Sequence, residues 1–200
     1  LLTVNTLQKL INAYQANNAA AAILTAFVDN PYGYGRIIRD QNGQVRRIVE
    51  EKDANEAERK INEINTGTYC FNSQLLFAAL EQITAANQQG EYYLTDVIEI
   101  FVKQGLPVVA EAGQTWEVMG INNRQQLAVA EKIMREQINA QWMLAGVTML
   151  DPASTFIDAS VTIGRDTIIY PWTLLEGKTV IGEDCVIGPQ TRIKDSVIGE

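Results

Sequence analysis

From Asp151 onward an aliphatic residue recurs on every sixth position: Ile157, Ile163, Ile169, Leu175, Ile181, Ile187 and Ile193. Two places ahead of each stands a small or β-branched residue, namely Thr155, Val161, Thr167, Thr173, Thr179, Cys185 and Thr191. Gly164, Gly182 and Gly188 follow the repeated aliphatic. A period of six matches neither an α-helix nor a flat strand pair. It matches a triangular coil whose three short sides each take one hexapeptide, so that stacked coils bury one shared column. The register slips by one at Val197-Ile198-Gly199, which predicts a small irregularity past which the repeat continues.

The residues ahead of this tail have a different texture. From Leu1 to about Ala112 helical and strand patterns alternate. A helix is predicted near Thr3–Tyr14 with Thr3 as N-cap, followed by a strand over Ala20–Val28 and a hairpin turning at Asp40-Gln41-Asn42-Gly43. A strand over Asn65–Phe71, helices over Ser73–Ile83 and Leu94–Gln104, a strand over Val108–Ala112 and a short β-like run over Thr115–Val118 complete the pattern. This is an α/β layout with hairpin insertions. A long helix fits Arg124–Leu144, with Leu127, Ala130, Ile133, Met134, Ile138 and Met143 on one apolar face and Gly146 ending it. The expected organisation is therefore 1–122, 123–150 as a linker helix, and 151–200.

Several function classes fall away on composition. Sixteen Lys and Arg stand against 24 Asp and Glu, a net charge of −8, so no basic face is available for a phosphate backbone and nucleic acid is not an expected partner. No stretch reaches the roughly 20 apolar residues of a membrane span. The chain has no histidine, which removes the commonest metal ligand and the commonest general base. Any metal must be held by oxygen. Cys70 and Cys185 lack metal spacing, and lone thiols without a secretion signal fit a reducing cytoplasm. Leu1 begins in what reads as the middle of a domain, so the N-terminus is read as missing.

Five short segments carry groups suited to chemistry. Tyr32-Gly33-Tyr34-Gly35-Arg36 lies between a strand and a hairpin, where glycines either let a ligand approach the backbone or make a tight turn. Val49-Glu50-Glu51-Lys52 follows a strand, where a charged run is usually a solvated edge. Glu63-Ile64-Asn65-Thr66-Gly67 offers small polar groups for a sugar hydroxyl or for a turn. Gly90-Glu91-Tyr92-Tyr93-Leu94-Thr95-Asp96 opens a helix whose N-terminus its carboxylates complement. In Gly120-Ile121-Asn122-Asn123-Arg124 one Asn can cap the long helix, while a carboxamide oxygen also suits Mg²⁺.

Taken together and in this order, these segments and the hexapeptide tail resemble the bifunctional N-acetylglucosamine-1-phosphate uridyltransferase and glucosamine-1-phosphate acetyltransferase family, over essentially all 200 residues. The resemblance implies the C-terminal part of a Rossmann-like nucleotidyltransferase domain, followed by the start of a left-handed parallel β-helix. It implies a reaction in which N-acetylglucosamine 1-phosphate attacks the α-phosphorus of UTP, giving UDP-N-acetylglucosamine and pyrophosphate with Mg²⁺ present. By motif position, the Gly35 amide, Glu50 and Asn65 are expected to bind the N-acetylglucosamine moiety. Asn122 is expected to meet both Mg²⁺ and the nucleotide sugar, with Asn123 as the fallback because the spacing ahead of Asn122 is a residue shorter than usual. The family's phosphate loop and the Asp sharing the metal are expected to precede Leu1, and the coils with the acetyl-coenzyme A site to follow Glu200. No catalytic residue is thus expected within the 200 residues, which alone are expected to be inactive. The parent is expected to be a cytoplasmic homotrimer serving peptidoglycan and lipopolysaccharide synthesis. A glucose-1-phosphate nucleotidyltransferase with a β-helical tail and a non-enzymatic trimerisation module are the alternatives, and Gly120–Arg124 favours the uridyltransferase.

Overall fold

The run Ala21-Ala22-Ile23-Leu24 offers apolar side chains to both faces of an extended chain, so the strand it forms has to be covered on both sides. In the computed structural model, which describes residues 2–121 and 123–199, that strand, β1 (Ala21–Phe27), is buried at every position except Phe27. The chain divides into two units, Leu1–Met119 and Gly120–Glu200. In the first, β1 joins β2 (Arg36–Arg39), β3 (Val45–Val49), β4 (Glu63–Phe71) and β5 (Val108–Ala112) in a five-stranded sheet of order β3-β2-β4-β1-β5. The β1/β5 pair is parallel, while β1/β4, β2/β4 and β2/β3 are antiparallel. Helix α1 (Val4–Ala16) covers one face, where Leu10 packs with Ala22 and Leu24. Helices α2 (Ser73–Leu80) and α3 (Asp96–Lys103) cover the other, where Val97, Ile98 and Phe101 cluster with Ala21, Ile23, Ile37 and Ile48.

Local chemistry sets most boundaries where the sequence predicts them. Thr3 caps α1 by accepting the Thr6 N–H. The hairpin turns at Asp40–Gly43, where the Asp40 carboxylate accepts the Asn42 and Gln44 amides and Gly43 takes a left-handed φ of +78°. The β-like run predicted at Thr115–Val118 is corrected: it is a 3-10 turn. Its Glu117 is only 3% exposed, and its carboxylate reaches the Gln114 amide, closing a capping box with the Gln114 side chain, only if the chain turns.

In the second unit, α4 (Arg124–Leu144) has the predicted span and Gly146 follows it at φ +103°. The expected apolar face is only partly the buried one. Leu127 and Met143 are exposed, whereas Ala130 and Asn139 are buried, Asn139 to 1%. Its carboxamide Nδ2 donates to the carbonyls of Pro152 and Thr155 at 2.9 and 3.0 Å, tying the helix to the turn at Pro152–Ser154 and the strand that follows it.

The coil itself follows the hexapeptide. Its strands, β6 (Thr148–Met149), β7 (Thr155–Ile157), β8 (Thr162–Ile163), β9 (Ile168–Ile169), β10 (Thr173–Glu176), β11 (Val180–Ile181), β12 (Val186–Ile187), β13 (Arg192–Lys194) and β14 (Val197–Ile198), make three parallel three-stranded sheets, β6-β9-β12, β7-β10-β13 and β8-β11-β14. From β7 onward residues pair 18 positions apart, as Thr155 does with Thr173 and Leu174 with Arg192, whereas β6 pairs with β9 at a spacing of 20. Val180 pairs instead with Val197, the predicted one-residue slip. Ile157, Ile163, Ile169, Leu175, Ile181 and Ile187 are all buried in one cluster, onto which Ile138 and Trp142 of α4 pack. Thr155, Thr167, Thr173 and Thr179 are fully buried beside them. Each hydroxyl donates to a backbone carbonyl, that of Asp151, Gly182, Tyr170 or Glu176. Asp166, Trp172, Asp184 and Gln190 turn corners at φ between +54° and +63°. Because the column is continuous, Leu175→Ala should lower stability by about 2–5 kcal/mol, whereas Val186→Ala, at a 63% exposed position, should change it by less than about 0.5 kcal/mol. Denaturant unfolding of the two variants checks this.

Candidate functional site

Strand β2 begins with a charge that the hairpin cannot leave in water. Arg36 is 1% exposed, and a guanidinium so buried has to be paired. Its Nη2 meets Glu51 Oε2 at 2.5 Å and its Nη1 donates to the Tyr34 carbonyl. Glu51 Oε2 also accepts the Gly33 amide at 3.1 Å, and Gly33 stands at φ +86°. One carboxylate therefore closes the Tyr32–Arg36 loop on itself. The Arg36 hydrogen bond, against an opposing effect of burial, holds the Glu51 carboxyl below its ordinary range. Of the two sequence readings of Glu50-Glu51, the solvated edge does not describe Glu51.

Arg36 pairs with Val49 across the hairpin, so Glu50 stands opposite Gly35. The Asp53 and Ala54 amides both donate to the Glu50 carbonyl, and this turn fixes the residue at the end of β3. Glu50 Oε1 accepts the hydroxyl of Thr95, a buried residue at the start of α3, at 3.0 Å. Its Oε2 lies 3.3 Å from where a Cβ on Gly35 would stand, and the Asn65 Cβ lies 3.4 Å from the same point. The Asn65 amide donates to the Gly35 carbonyl at 2.8 Å. Gly35, Glu50 and Asn65, singled out separately in the sequence, thus meet where the ends of β2, β3 and β4 converge. A fourth segment joins them, since Asp53 accepts the Gln88 amide at 2.9 Å and Lys52 bonds to Gln89, bringing the Gly90–Asp96 loop alongside. Tyr69, also on β4, has its phenol pushed up to about 12, chiefly by burial, against a smaller downward effect of the Asn65 side chain and with Glu50 adding a further upward push. It therefore stays protonated throughout the neutral range.

The rest of the Glu63–Gly67 segment is structural. Glu63 pairs in bidentate fashion with Arg39 at 2.6 and 2.7 Å, and the Thr66 hydroxyl donates to the Leu24 carbonyl. Asn122 lies outside the described residues. Asn123 is the N-cap of α4, its Oδ1 accepting the Gln126 amide at 2.8 Å, so its carboxamide oxygen already serves the helix. Among the described residues no group of three or more His, Cys, Asp or Glu side chains is placed to hold a metal ion. A cavity of about 690 Å³ in the same unit is lined by Arg39, Arg46, Leu106 and Glu111 and contains none of Gly35, Glu50 or Asn65.

Arg36 with Glu51, Thr95 and Glu117 were not singled out by the sequence. Arg36 carried the one available sign, a charge opening the otherwise apolar Arg36-Ile37-Ile38. Thr95 and Glu117 act through partners 45 and 111 positions away, which no local pattern encodes.

The α/β unit and the hexapeptide coil each match a family of transferases. A model of the nucleotidyl transferase family matches residues 2–142, and one of the bacterial transferase hexapeptide (six repeats) matches residues 160–200. The chain belongs to the nucleotidyl transferase family. It is similar to the bifunctional protein GlmU of Geobacillus sp. (strain WCH70), 58% identical over 200 residues, and to that of Geobacillus thermodenitrificans (strain NG80-2), 56% identical over 200 residues. A third, from Heliobacterium modesticaldum (strain ATCC 51547 / Ice1), is 55% identical over 201 residues. Each alignment takes in 100% of this chain and 44% of the relative, so the chain spans less than half the length of these curated relatives.

Glu117 gives this unit a pH dependence of definite sign. Burial raises its pKa, but hydrogen bonds from the Thr6 and Thr3 hydroxyls and the Gln114 and Thr3 amides outweigh it, and the net shift is downward. A depressed carboxyl contributes stability above the unfolded value of about 4.3 and loses it as pH falls through the folded value. Thr6→Val, which removes contacts of 2.6 and 2.8 Å, should therefore cost about 1–3 kcal/mol near neutral pH. Thermal unfolding as a function of pH should show that difference shrinking below about pH 4.

Proposed function

We propose that the chain is part of a bifunctional enzyme whose uridyltransferase half forms UDP-N-acetylglucosamine from UTP and N-acetylglucosamine 1-phosphate. In that reaction a phosphate oxygen of the sugar phosphate forms a bond to the α-phosphorus of UTP while the bond to pyrophosphate breaks. The protein contributes positioning and charge compensation rather than a proton relay, and a chain without histidine suits such work. The observation that carries the reading is the meeting of Gly35, Glu50 and Asn65 around one point. Gly35 leaves the room that a side chain would fill, Glu50 Oε2 is an acceptor for a sugar hydroxyl, and Asn65 offers a carboxamide. Thr95 holds Glu50 from behind.

On this reading the enzyme binds a divalent cation, Mg²⁺, and Asn122 supplies it with a carboxamide oxygen while meeting the nucleotide sugar. Bound Mg²⁺ would neutralise phosphate charge. The described residues contribute no cluster for it, and each role given to them above stands without it. We read the mixed sheet as Rossmann-like and the coil as left-handed. The whole protein is proposed to acetylate glucosamine 1-phosphate with acetyl-coenzyme A as a second activity. It would work in the cytoplasm as a homotrimer, supplying peptidoglycan and lipopolysaccharide synthesis.

Steady-state kinetics of the full-length protein test the site. Glu50→Gln and Asn65→Ala should each raise KM for N-acetylglucosamine 1-phosphate by about 10- to 100-fold, the worth of a hydrogen bond to a charged or tightly held partner, and leave KM for UTP within about twofold. Unchanged KM values for the sugar phosphate in both variants would return these residues to a purely structural role. Asn122→Ala should lower kcat strongly, and wild-type turnover in that variant would remove Asn122 from the cation's ligands.

A further inference from the structure

Thr95 stands at the N-cap position of α3, where a threonine hydroxyl ordinarily accepts an N–H from the first turn. Here it does not. The residue is already helical, at φ −63° and ψ −22°, and among the described residues no amide of α3 bonds to its side chain. Backbone serves the first turn instead: the Asp96, Val97 and Ile98 amides donate to the carbonyls of Tyr93, Leu94 and Thr95 at 3.1 to 3.2 Å. The helix therefore has no need of the hydroxyl, which donates to Glu50 Oε1 at 3.0 Å, 45 positions away. A capping residue that gives up its local bond for a distant carboxylate breaks a sequence-level rule, and such breaks gather at functional sites.

Both partners are held by structure that leaves this bond little freedom. Thr95 is buried, and Val97 and Ile98, next along the helix, are buried completely in the core that β3 enters through Ile48. The segment ahead of Thr95 is tied to the turn after β3, where Asp53 accepts the Gln88 amide at 2.9 Å and Gln89 bonds both Lys52 and the Tyr93 hydroxyl. Glu50 is fixed at its backbone by the Asp53 and Ala54 amides. Its side chain would still turn about its single bonds if its end were free, and the Thr95 hydroxyl is the partner that holds that end among the described residues. With Oε1 so engaged, Oε2 is the oxygen left 3.3 Å from where a Cβ on Gly35 would stand.

We infer that Thr95 is a positioning residue for sugar-phosphate recognition: its hydroxyl occupies Glu50 Oε1, so that Oε2 is presented beside Gly35 as the acceptor for a sugar hydroxyl. Without that bond the carboxylate rotates, and the sugar has to restore its orientation on binding, which weakens binding without touching the reacting phosphates. Thr95 needs no contact with the sugar. The inference rests on the proposed sugar-binding role of Glu50, and the test separates the two.

The experiment is a double-mutant cycle in the full-length enzyme with Thr95→Val, Glu50→Ala and the combination, and with Thr95→Ser as the conservative variant. It reads KM for N-acetylglucosamine 1-phosphate, KM for UTP, kcat and melting temperature. Valine keeps the shape of threonine and removes the hydroxyl alone. Thr95→Val should raise KM for the sugar phosphate about fivefold, the worth of one hydrogen bond, with kcat and KM for UTP within about twofold. Thr95→Ser, which keeps the hydroxyl, should restore KM for the sugar phosphate to within about twofold of wild type. In the Glu50→Ala background, where that KM is already raised, Thr95→Val should do nothing further, since the group it orients is gone. If Glu50→Ala raises that KM and Thr95→Val does not, or if Thr95→Ser is as impaired as Thr95→Val, the role of Thr95 is overturned while the site stands. Equal rises from Thr95→Val in both backgrounds would overturn it as well, since Thr95 would then act without Glu50. If Thr95→Val does not fold, Thr95→Ala is read against the same outcomes. If Glu50→Ala itself leaves that KM unchanged, the sugar site falls, and the role of Thr95 with it.

Discussion

A guanidinium that is 1% exposed has few stable arrangements, and the one Arg36 adopts organises the strand ends around it. Its partner Glu51 has an oxygen shared between the Arg36 Nη2 and the Gly33 amide, so the loop before β2 and the turn after β3 are held together through one carboxylate. Breaking such a pair from one side leaves a buried charge uncompensated, at a cost of about 3–5 kcal/mol. Glu50 is placed by the hairpin register: Arg36 pairs with Val49, so the next residue, Glu50, stands opposite Gly35, and the Thr95 hydroxyl holds its carboxylate. The absence of a Cβ at Gly35, with Ile48 Cγ2 only 3.1 Å and Glu50 Oε2 3.3 Å from its position, is what keeps the space among these groups open.

The two units solve burial by different means. In the first, one strand apolar on both faces is sandwiched by helices, and the polar cluster gathers at the strand ends. In the second, each hexapeptide turns two side chains inward, one aliphatic and one small, and the small one is commonly a threonine whose hydroxyl is returned to a carbonyl. A buried hydroxyl without that bond would cost about 1–3 kcal/mol. Repetition makes this solution inexpensive to specify: a single rule, applied every six residues, sets strand, corner and core. The polar cluster has no such rule, since each of its members is placed by a different long-range partner.

That contrast explains what could be read in the sequence. The coil, its inward residues and its slip at Val197 were legible because period alone determines them. The bounds of β5 and α4, the Thr3 cap and the Asp40–Gly43 turn were legible because capping and turn chemistry act within a few residues. Gly35, Glu50 and Asn65 were legible as candidates through motif resemblance, but their meeting was not. Nothing local in Glu50-Glu51 tells which carboxylate turns inward to Arg36, 15 positions earlier. Thr115–Val118 read as extended because its local sign, the Gln114–Glu117 capping box, was passed over, while the bonds that Glu117 accepts from Thr3 and Thr6 cross more than a hundred positions. Asn139 was passed over because a helical face was judged on apolar residues, whereas this helix also buries a carboxamide to satisfy two carbonyls of the coil.

On the proposed reading a sugar sits where β2 and β4 begin and β3 ends. A crystal structure of the full-length protein with UDP-N-acetylglucosamine bound tests it most directly. The account predicts sugar oxygens within about 2.7–3.2 Å of the Gly35 amide, Glu50 Oε2 and the Asn65 carboxamide, with the Glu51 to Gly33 and Arg36 bonds unchanged. A sugar bound elsewhere, for instance in the cavity lined by Arg39, Arg46 and Glu111, with Gly35, Glu50 and Asn65 untouched, would contradict it.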